Sequence, residues 1–392
     1  MTLARGLIRT PLRCVVVAAI VLSACRSPSG VGTQLRTTVT RTGRYPVVHV
    51  TGEPPHWQLD SIATLTDSGG VGFRQIRSVL IDPRGGVLVM SAGPAAITRF
   101  DDHGVADGLV GRVGSGPQEY QAPVGGGWLD GDLTVDDNGN GRLIRWNAKG
   151  DFVAQWFTPH ACCMATMVRQ AGPSHVWLLN VARQPGTHGM SRGYIRFPST
   201  GQLDTIWYGP APANNAGVEC PWGNGNIEIF SIPFATPAFS VEPAPDGTLY
   251  ELSGLDYRIA MVSPGGDTVK VLSRDVPAAP IRDQEWQDST REYVAFRASH
   301  GASSCSRAMQ RPAAKALVEA ARFDDRGRLW VERNVADGVR WEVWQQGALV
   351  GSAIGGRWNR NLPIDIRTNR IAIARSSDDG GSVVVLYRVS ER

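Results

Sequence analysis

The chain has 392 residues, of which 42% are hydrophobic and 19% charged, a balance that excludes a disordered or collagen-like polymer and leaves ample apolar material for a core. Its formal net charge is +4, but the first 24 residues hold three arginines and no acid, so the remainder sums to +1. A nearly neutral body has no field for steering onto nucleic acid, and that class of partner is not expected.

Arg5, Arg9 and Arg13 precede an apolar run over residues 14–22 that is too short to stay in a bilayer as a spanning helix. The run ends in Leu22-Ser23-Ala24-Cys25, which resembles a bacterial lipobox. The resemblance implies cleavage after residue 24 and lipid on the sulfur and amine of Cys25; an ordinary signal peptide or an uncleaved anchor is the alternative. Several acyl chains on one residue exceed what stable attachment needs, so the expected location is a bacterial cell envelope, on a membrane without crossing it. Arg26, not Asp, follows the cysteine, which by the same resemblance points to the outer membrane. Residues 25–40 read as lipidated cysteine plus flexible polar linker.

From residue 41 to the C-terminus composition does not break again. The 45 glycines and 25 prolines are scattered between short apolar runs, as turns between many strands would place them. Turn signals stand at Asp82-Pro83-Arg84-Gly85, Leu129-Asp130-Gly131-Asp132, Gln170-Ala171-Gly172-Pro173, Pro245-Asp246-Gly247, Asp324-Asp325-Arg326-Gly327 and Arg367-Thr368-Asn369. Each precedes a strand with period-two apolar placement: Val87/Val89, Leu133/Val135, Val176/Leu178, Leu249/Glu251, Leu329/Val331 and Ile371/Ile373. Glu251 alone departs from the alternation. The rhythm predicts an all-β, six-bladed β-propeller with a short helical insertion over residues 41–392. A propeller must close its ring to avoid open edges, and residues 57–62 with residues 383–389 are the pair expected to do so.

The clearest copy of the repeat runs from Gly111 to Gly150. Gly111, Gly114, Tyr120, Pro123, Val135, Asp136, Asn140, Arg142 and Leu143 fit an NHL-type repeat, and the whole chain resembles six-bladed propeller lipoproteins of bacterial envelopes. That resemblance implies fold and location. It implies no common activity.

Two turn-to-turn spacings are long, and loops on a rigid scaffold often carry function. The first insertion, near residues 209–237, contains Glu219-Cys220-Pro221-Trp222-Gly223-Asn224; Trp222, Glu219 and Asn224 are binding candidates. The second, residues 277–321, opens as a helix with Trp286, Thr290, Tyr293 and Arg297 on one face, and residues 312–321 resume helical composition. Trp286 is a further binding candidate, although such a face also serves as packing. Four cysteines remain after lipidation: Cys162, Cys163, Cys220 and Cys305. An exported location permits disulfides, and because a vicinal bond is strained the two crosswise pairings are favoured, which would tie both insertions to the Cys162/Cys163 loop. A metal site built on His160 and the adjacent thiols lacks paired Cys-x-x-Cys spacing.

Asp136-x-Asn138-x-Asn140-Gly141 copies the opening of a calcium loop, which makes Asp136, Asn138 and Asn140 weak metal candidates and calcium a possible cofactor. Asn147 stands where the loop needs a bidentate Glu. No nucleophile elbow, His-Glu-x-x-His helix or dinucleotide fingerprint occurs. The leading reading is a binding or scaffold protein that takes an envelope protein or a small-molecule ligand on the face carrying the insertions; the rival is a calcium-dependent lactonase or esterase with its site in the central channel.

Overall fold

The structure, a computed structural model, describes residues 34–67, 70, 72–158, 167–171, 175–183, 190–201, 205–208, 217–223, 225–235, 240–263, 265–301, 305–356, 363–367, 369–377 and 380–391. All fall in one compact unit, Gln34–Arg392. The leader, Cys25, His160, Cys162, Cys163 and Asn224 lie outside the described residues.

Three strands come first, β1 (Arg36–Thr42), β2 (Tyr45–Thr51) and β3 (His56–Leu65). A four-stranded antiparallel meander follows: β4 (Ile76–Ile81), β5 (Val87–Ala92), β6 (Ala95–Phe100) and β7 (Ala106–Leu109). A small parallel pair, β8 (Arg112–Val113) and β9 (Glu119–Tyr120), leads into β10 (Pro123–Leu129), β11 (Asp132–Asp137), β12 (Arg142–Trp146) and β13 (Phe152–Phe157). Next come β14 (Met167–Ala171), β15 (His175–Arg183), β16 (Met190–Pro198) and β17 (Thr205–Tyr208), then a separate hairpin, β18 (Gly217–Trp222) with β19 (Asn226–Ser231). The meander β20 (Ser240–Pro243), β21 (Leu249–Ser253), β22 (Arg258–Val262) and β23 (Thr268–Arg274) precedes two helices, α1 (Asp283–Ser289) and α2 (Arg291–His300). The chain ends with β24 (Val318–Phe323), β25 (Leu329–Val335), β26 (Gly338–Gln345), β27 (Ala348–Gly355), β28 (Ile364–Arg367), β29 (Arg370–Ser376) and β30 (Ser382–Ser390).

Turn chemistry explains why the meanders form where they do. In the turn before β5, the Asp82 carboxylate accepts hydrogen bonds from the Arg84 amide (2.8 Å) and guanidinium (2.9 Å). Asp246 accepts from the Thr248 amide before β21, and Asp324 accepts from the Arg326 and Arg328 amides before β25. These are the local side-chain bonds that make Asp a turn residue. The strands they launch bury the pairs that the alternation predicted: Val87 with Val89, Leu133 with Val135, Val176 with Leu178, Leu329 with Val331, and Ile371 with Ile373.

Period-two alternation then stacks each sheet on two neighbours. From β4 and β5, Val79, Ile81, Val87 and Val89 pack on Ala372, Ala374, Val384 and Leu386, while Leu80, Leu88 and Met90 face the other way onto Trp128, Leu133 and Val135. Leu129 and Leu143 continue onto Val176 and Leu178, and Trp177 and Tyr194 onto Val241 and Leu249. Leu252 and Ile259 meet Val331 and Trp344, and Trp330 and Trp341 return to Ile371 and Ile373. Sheets that pack face to face in a closed ring, with consecutive antiparallel strands in each, define one architecture. The fold is a β-propeller.

β3 closes it. It pairs antiparallel with β30, from Gln58 opposite Ser390 to Leu65 opposite Val384, and parallel with β27 through His56 and Trp57. The expected partnership of the two chain ends is therefore the pairing observed. The N-terminal side also supplies β2, parallel to β23, with β1 outside it.

Two expectations need correction. β1 begins at Arg36, inside the stretch read as linker to residue 40; all seven of its side chains are exposed, so it carries no apolar signature. Residues 312–321 do not resume a helix. The Lys315 amide donates to Ala279 O, and the Leu317 amide to Gly254 O, so the segment spends its donors on neighbouring loops before β24 starts at Val318.

Candidate functional site

The two insertions meet. Cys220 on β18 is disulfide-bonded to Cys305, which follows α2, so the crosswise pairing with Cys162 and Cys163 is overturned for these two cysteines. The reason is local packing: the Ser306 amide donates to Glu219 O at 2.8 Å, the Arg307 guanidinium to Gly217 O at 3.0 Å, and the Met309 amide to the Tyr293 hydroxyl at 3.1 Å. Hairpin and helices thus share a small core of Val218, Cys220 and Tyr293, flanked by Phe230, Phe296 and Met309. Edge contacts join Phe230 to Tyr293 and Phe296, and Phe296 stacks on His300 at 4.2 Å between ring centroids.

Trp222 ends this aromatic row, with its ring edge-on to His300 at 5.8 Å and its side chain 42% exposed. Glu219 is exposed on the same strand, opposite Ile229. Ile227 and Ile229 on β19 and Val294 on α2 are exposed as well. Trp286 lies half-buried on α1, whereas Trp222 meets His300 of α2. The cap is fixed at its base by α1: the Arg282 amide and guanidinium and the Lys315 ammonium all donate to the Glu285 carboxylate. Burial alone would raise that carboxyl, but these hydrogen bonds outweigh it and hold it at about 2.

The candidate calcium residues are used differently. Asp136 is buried in β11. Its neighbour Asp137 accepts from the Gln121 and Ala122 amides and, at 2.6 Å, from the Asn140 side-chain amide, which also donates to Gly114 O. Asn138 donates its backbone amide to Ala122 O. Asn140 therefore turns N–H groups toward its neighbours where a cation would require oxygen. Among the described residues no group of three or more His, Cys, Asp or Glu is placed to hold a metal ion.

The central channel was beyond reach of the sequence because strand register decides which residues face it. At one point β4, β10, β24 and β28 enclose a cavity of about 60 Å³, lined by Arg77, Arg322, Asp325, Asp365 and Arg367 and by the glycine run 125–127. Asp365 is half-buried; its two oxygens accept from the Ile81 amide at 2.7 Å and the Ile366 amide at 3.0 Å. Burial raises its pKa, against the opposing pull of Arg367. The Gly-Gly-Gly run was the available signal, since glycine inside a strand marks a close backbone approach. Gly126 has that role: a Cβ there would come within 2.7 Å of Met90 and 2.9 Å of Leu80.

No family model matches the chain, and no curated protein matches it. Among solved structures it is similar to a Bacteroides fragilis protein described as exported (10% identity, TM-score 0.43, covering 85% of this chain and 95% of that one). It is similar also to virginiamycin B lyase from Staphylococcus aureus (12%, 0.41, 84% and 99%) and to regucalcin, a calcium-binding protein from Agrobacterium tumefaciens (10%, 0.37, 87% and 98%). At these scores the likeness carries no argument about activity.

Proposed function

We propose that this chain is a six-bladed, NHL-like envelope lipoprotein, held on the outer membrane by lipid on Cys25, whose disulfide-fixed cap captures a protein partner. One observation carries the reading: Trp222, Ile227 and Ile229 stand exposed on a short hairpin that Cys220–Cys305 and the Tyr293 core hold in place. Apolar groups displayed on a rigid support favour association, because little side-chain and loop entropy is left to lose on binding. Trp222 stands on the helix side of the hairpin and Ile227 and Ile229, opposite Pro221 and Glu219, on its other face, and a hairpin displayed on both faces suits a partner protein better than a small ligand, which needs a concave site.

The test is capture from envelope extract by full-length protein. Trp222→Ala is expected to weaken capture at least tenfold with an unchanged melting curve, since an exposed aromatic anchor contributes to binding more than to folding. Trp286→Ala, half-buried, is expected to lower thermal stability and leave capture intact. Full capture by the Trp222→Ala protein defeats the reading. The anchor is tested separately: Cys25→Ala should move the protein from membrane to soluble or unprocessed fractions, and unchanged fractionation without lipid on the mature N-terminus refutes it.

A further inference from the structure

The channel cavity presents more positive hydrogen-bond capacity than the protein uses. Each guanidinium carries five N–H donors in a fixed fork. Among the described residues, the Arg77, Arg322 and Arg367 side chains together make one hydrogen bond, from Arg322 Nη1 to Glu242 Oε1 at 3.2 Å. Arg367 comes no nearer than 4.0 Å to Asp325, and its Nε is buried without an acceptor. Arg77, in the bulge where β4 slips register against β5, is exposed toward the opening and pairs with nothing.

Charge points the same way. Glu242 lies 3.2 Å from Arg322 and Asp325 lies 4.0 Å from Arg367, while Asp365 accepts from the Ile81 and Ile366 amides, so among the described residues no carboxylate is hydrogen-bonded to Arg77 or Arg367. The guanidinium forks of Arg77 and Arg367 are therefore left with N–H groups to offer an added acceptor. The cavity's volume of about 60 Å³ suits a group of a few heavy atoms. Planar N–H forks match the paired oxygens of carboxylates and phosphates.

We propose that the channel binds a small oxyanion group, a carboxylate or a phosphate, between Arg77, Arg322 and Arg367. The site is independent of the cap and of what the cap captures.

Calorimetric titration of the full-length protein with inorganic phosphate, and separately with acetate, against chloride at matched ionic strength, tests this. Saturable one-site binding of either anion is expected, weakened about tenfold in Arg77→Gln and more in Arg322→Gln. Binding of phosphate alone assigns the site to phosphoryl groups; binding of acetate alone assigns it to carboxylates. Should Arg322→Gln fail to fold through loss of its contact with Glu242, Arg77→Gln still decides, because its side chain bonds to nothing. The proposal is overturned if neither anion binds above the chloride response, or if Arg77→Gln binds as the unaltered protein does.

Discussion

The second blade and the cap are stabilised in opposite ways. Within residues 111–157 the blade is tied by bonds between near neighbours in the chain: buried Arg142 donates to Gly116 O at 2.6 Å, to Glu119 O at 2.8 Å and to the Gln155 side chain, and Asn140 reaches Gly114 O. The Tyr120 hydroxyl then accepts from the Ile97 amide and fastens this blade to the one before it. The cap instead joins β18 and β19 to α1 and α2 from the far side of an entire blade, through a disulfide whose cysteines are 85 residues apart. A unit built from local turn chemistry can be repeated around a ring. One built from a distant covalent tie is specific to its place.

The largest effect expected from this contrast is at Arg142. Replacing it with Met removes a buried guanidinium from four acceptors, Ser115 O included, and from Asp137, 3.6 Å away and fully buried, and should cost about 3–5 kcal/mol. Chemical denaturation of the full chain measures it. A loss below about 1 kcal/mol would mean that apolar stacking, not the interblade turn, sets the blade's stability.

The cap is expected to respond less, and locally. Cys220→Ser or Cys305→Ser should cost about 2–4 kcal/mol, read as faster amide exchange in β18, β19 and α2 while the exchange of β11 and β25 stays as before. In the native protein neither Cys220 nor Cys305 should react with an alkylating agent before reduction. Quantitative labelling of both would remove the covalent tie from the comparison altogether.

These two regions also mark what could be read from the residues alone. The blades were legible because an Asp-x-Arg-Gly or Asp-Gly turn and two alternating apolar residues are a local cause with a local result, as at Asp82 with Val87 and Asp324 with Leu329. Ring closure was legible from the need to cover edges. The cap was half-legible: helix α2 and the exposure of Trp222 fit the composition, but β18 and β19 are marked only by short mixed runs around Trp222 and Ile227. The cysteine pairing followed from which loops touch, and no spacing encodes that. Arg77, Arg322 and Arg367 lie far apart in sequence and converge only once the ring brings β4, β24 and β28 to one wall.

The smallest expected effect concerns pH and separates the cap from the ring most finely. Glu285 anchors α1 through Arg282 and Lys315, and its carboxyl is held at about 2 against an ordinary 4.5. A carboxyl with a depressed folded pKa binds its proton less readily than in the unfolded chain, so its stabilising contribution is complete above the unfolded value. It is lost as pH falls from about 4.5 through about 2. The contribution should be roughly 1 kcal/mol or less, because water reaches the Glu285 side chain and screens the pair. Thermal unfolding of the full chain at pH 6, 4 and 2 should therefore show the unaltered protein more stable than Glu285→Gln at pH 6, with the gap closing by pH 2. Lys315→Met should show a narrowed dependence on the same carboxyl. A gap that stays constant across that range would mean that α1 is held by packing alone, and the cap would then differ from the ring only in its disulfide.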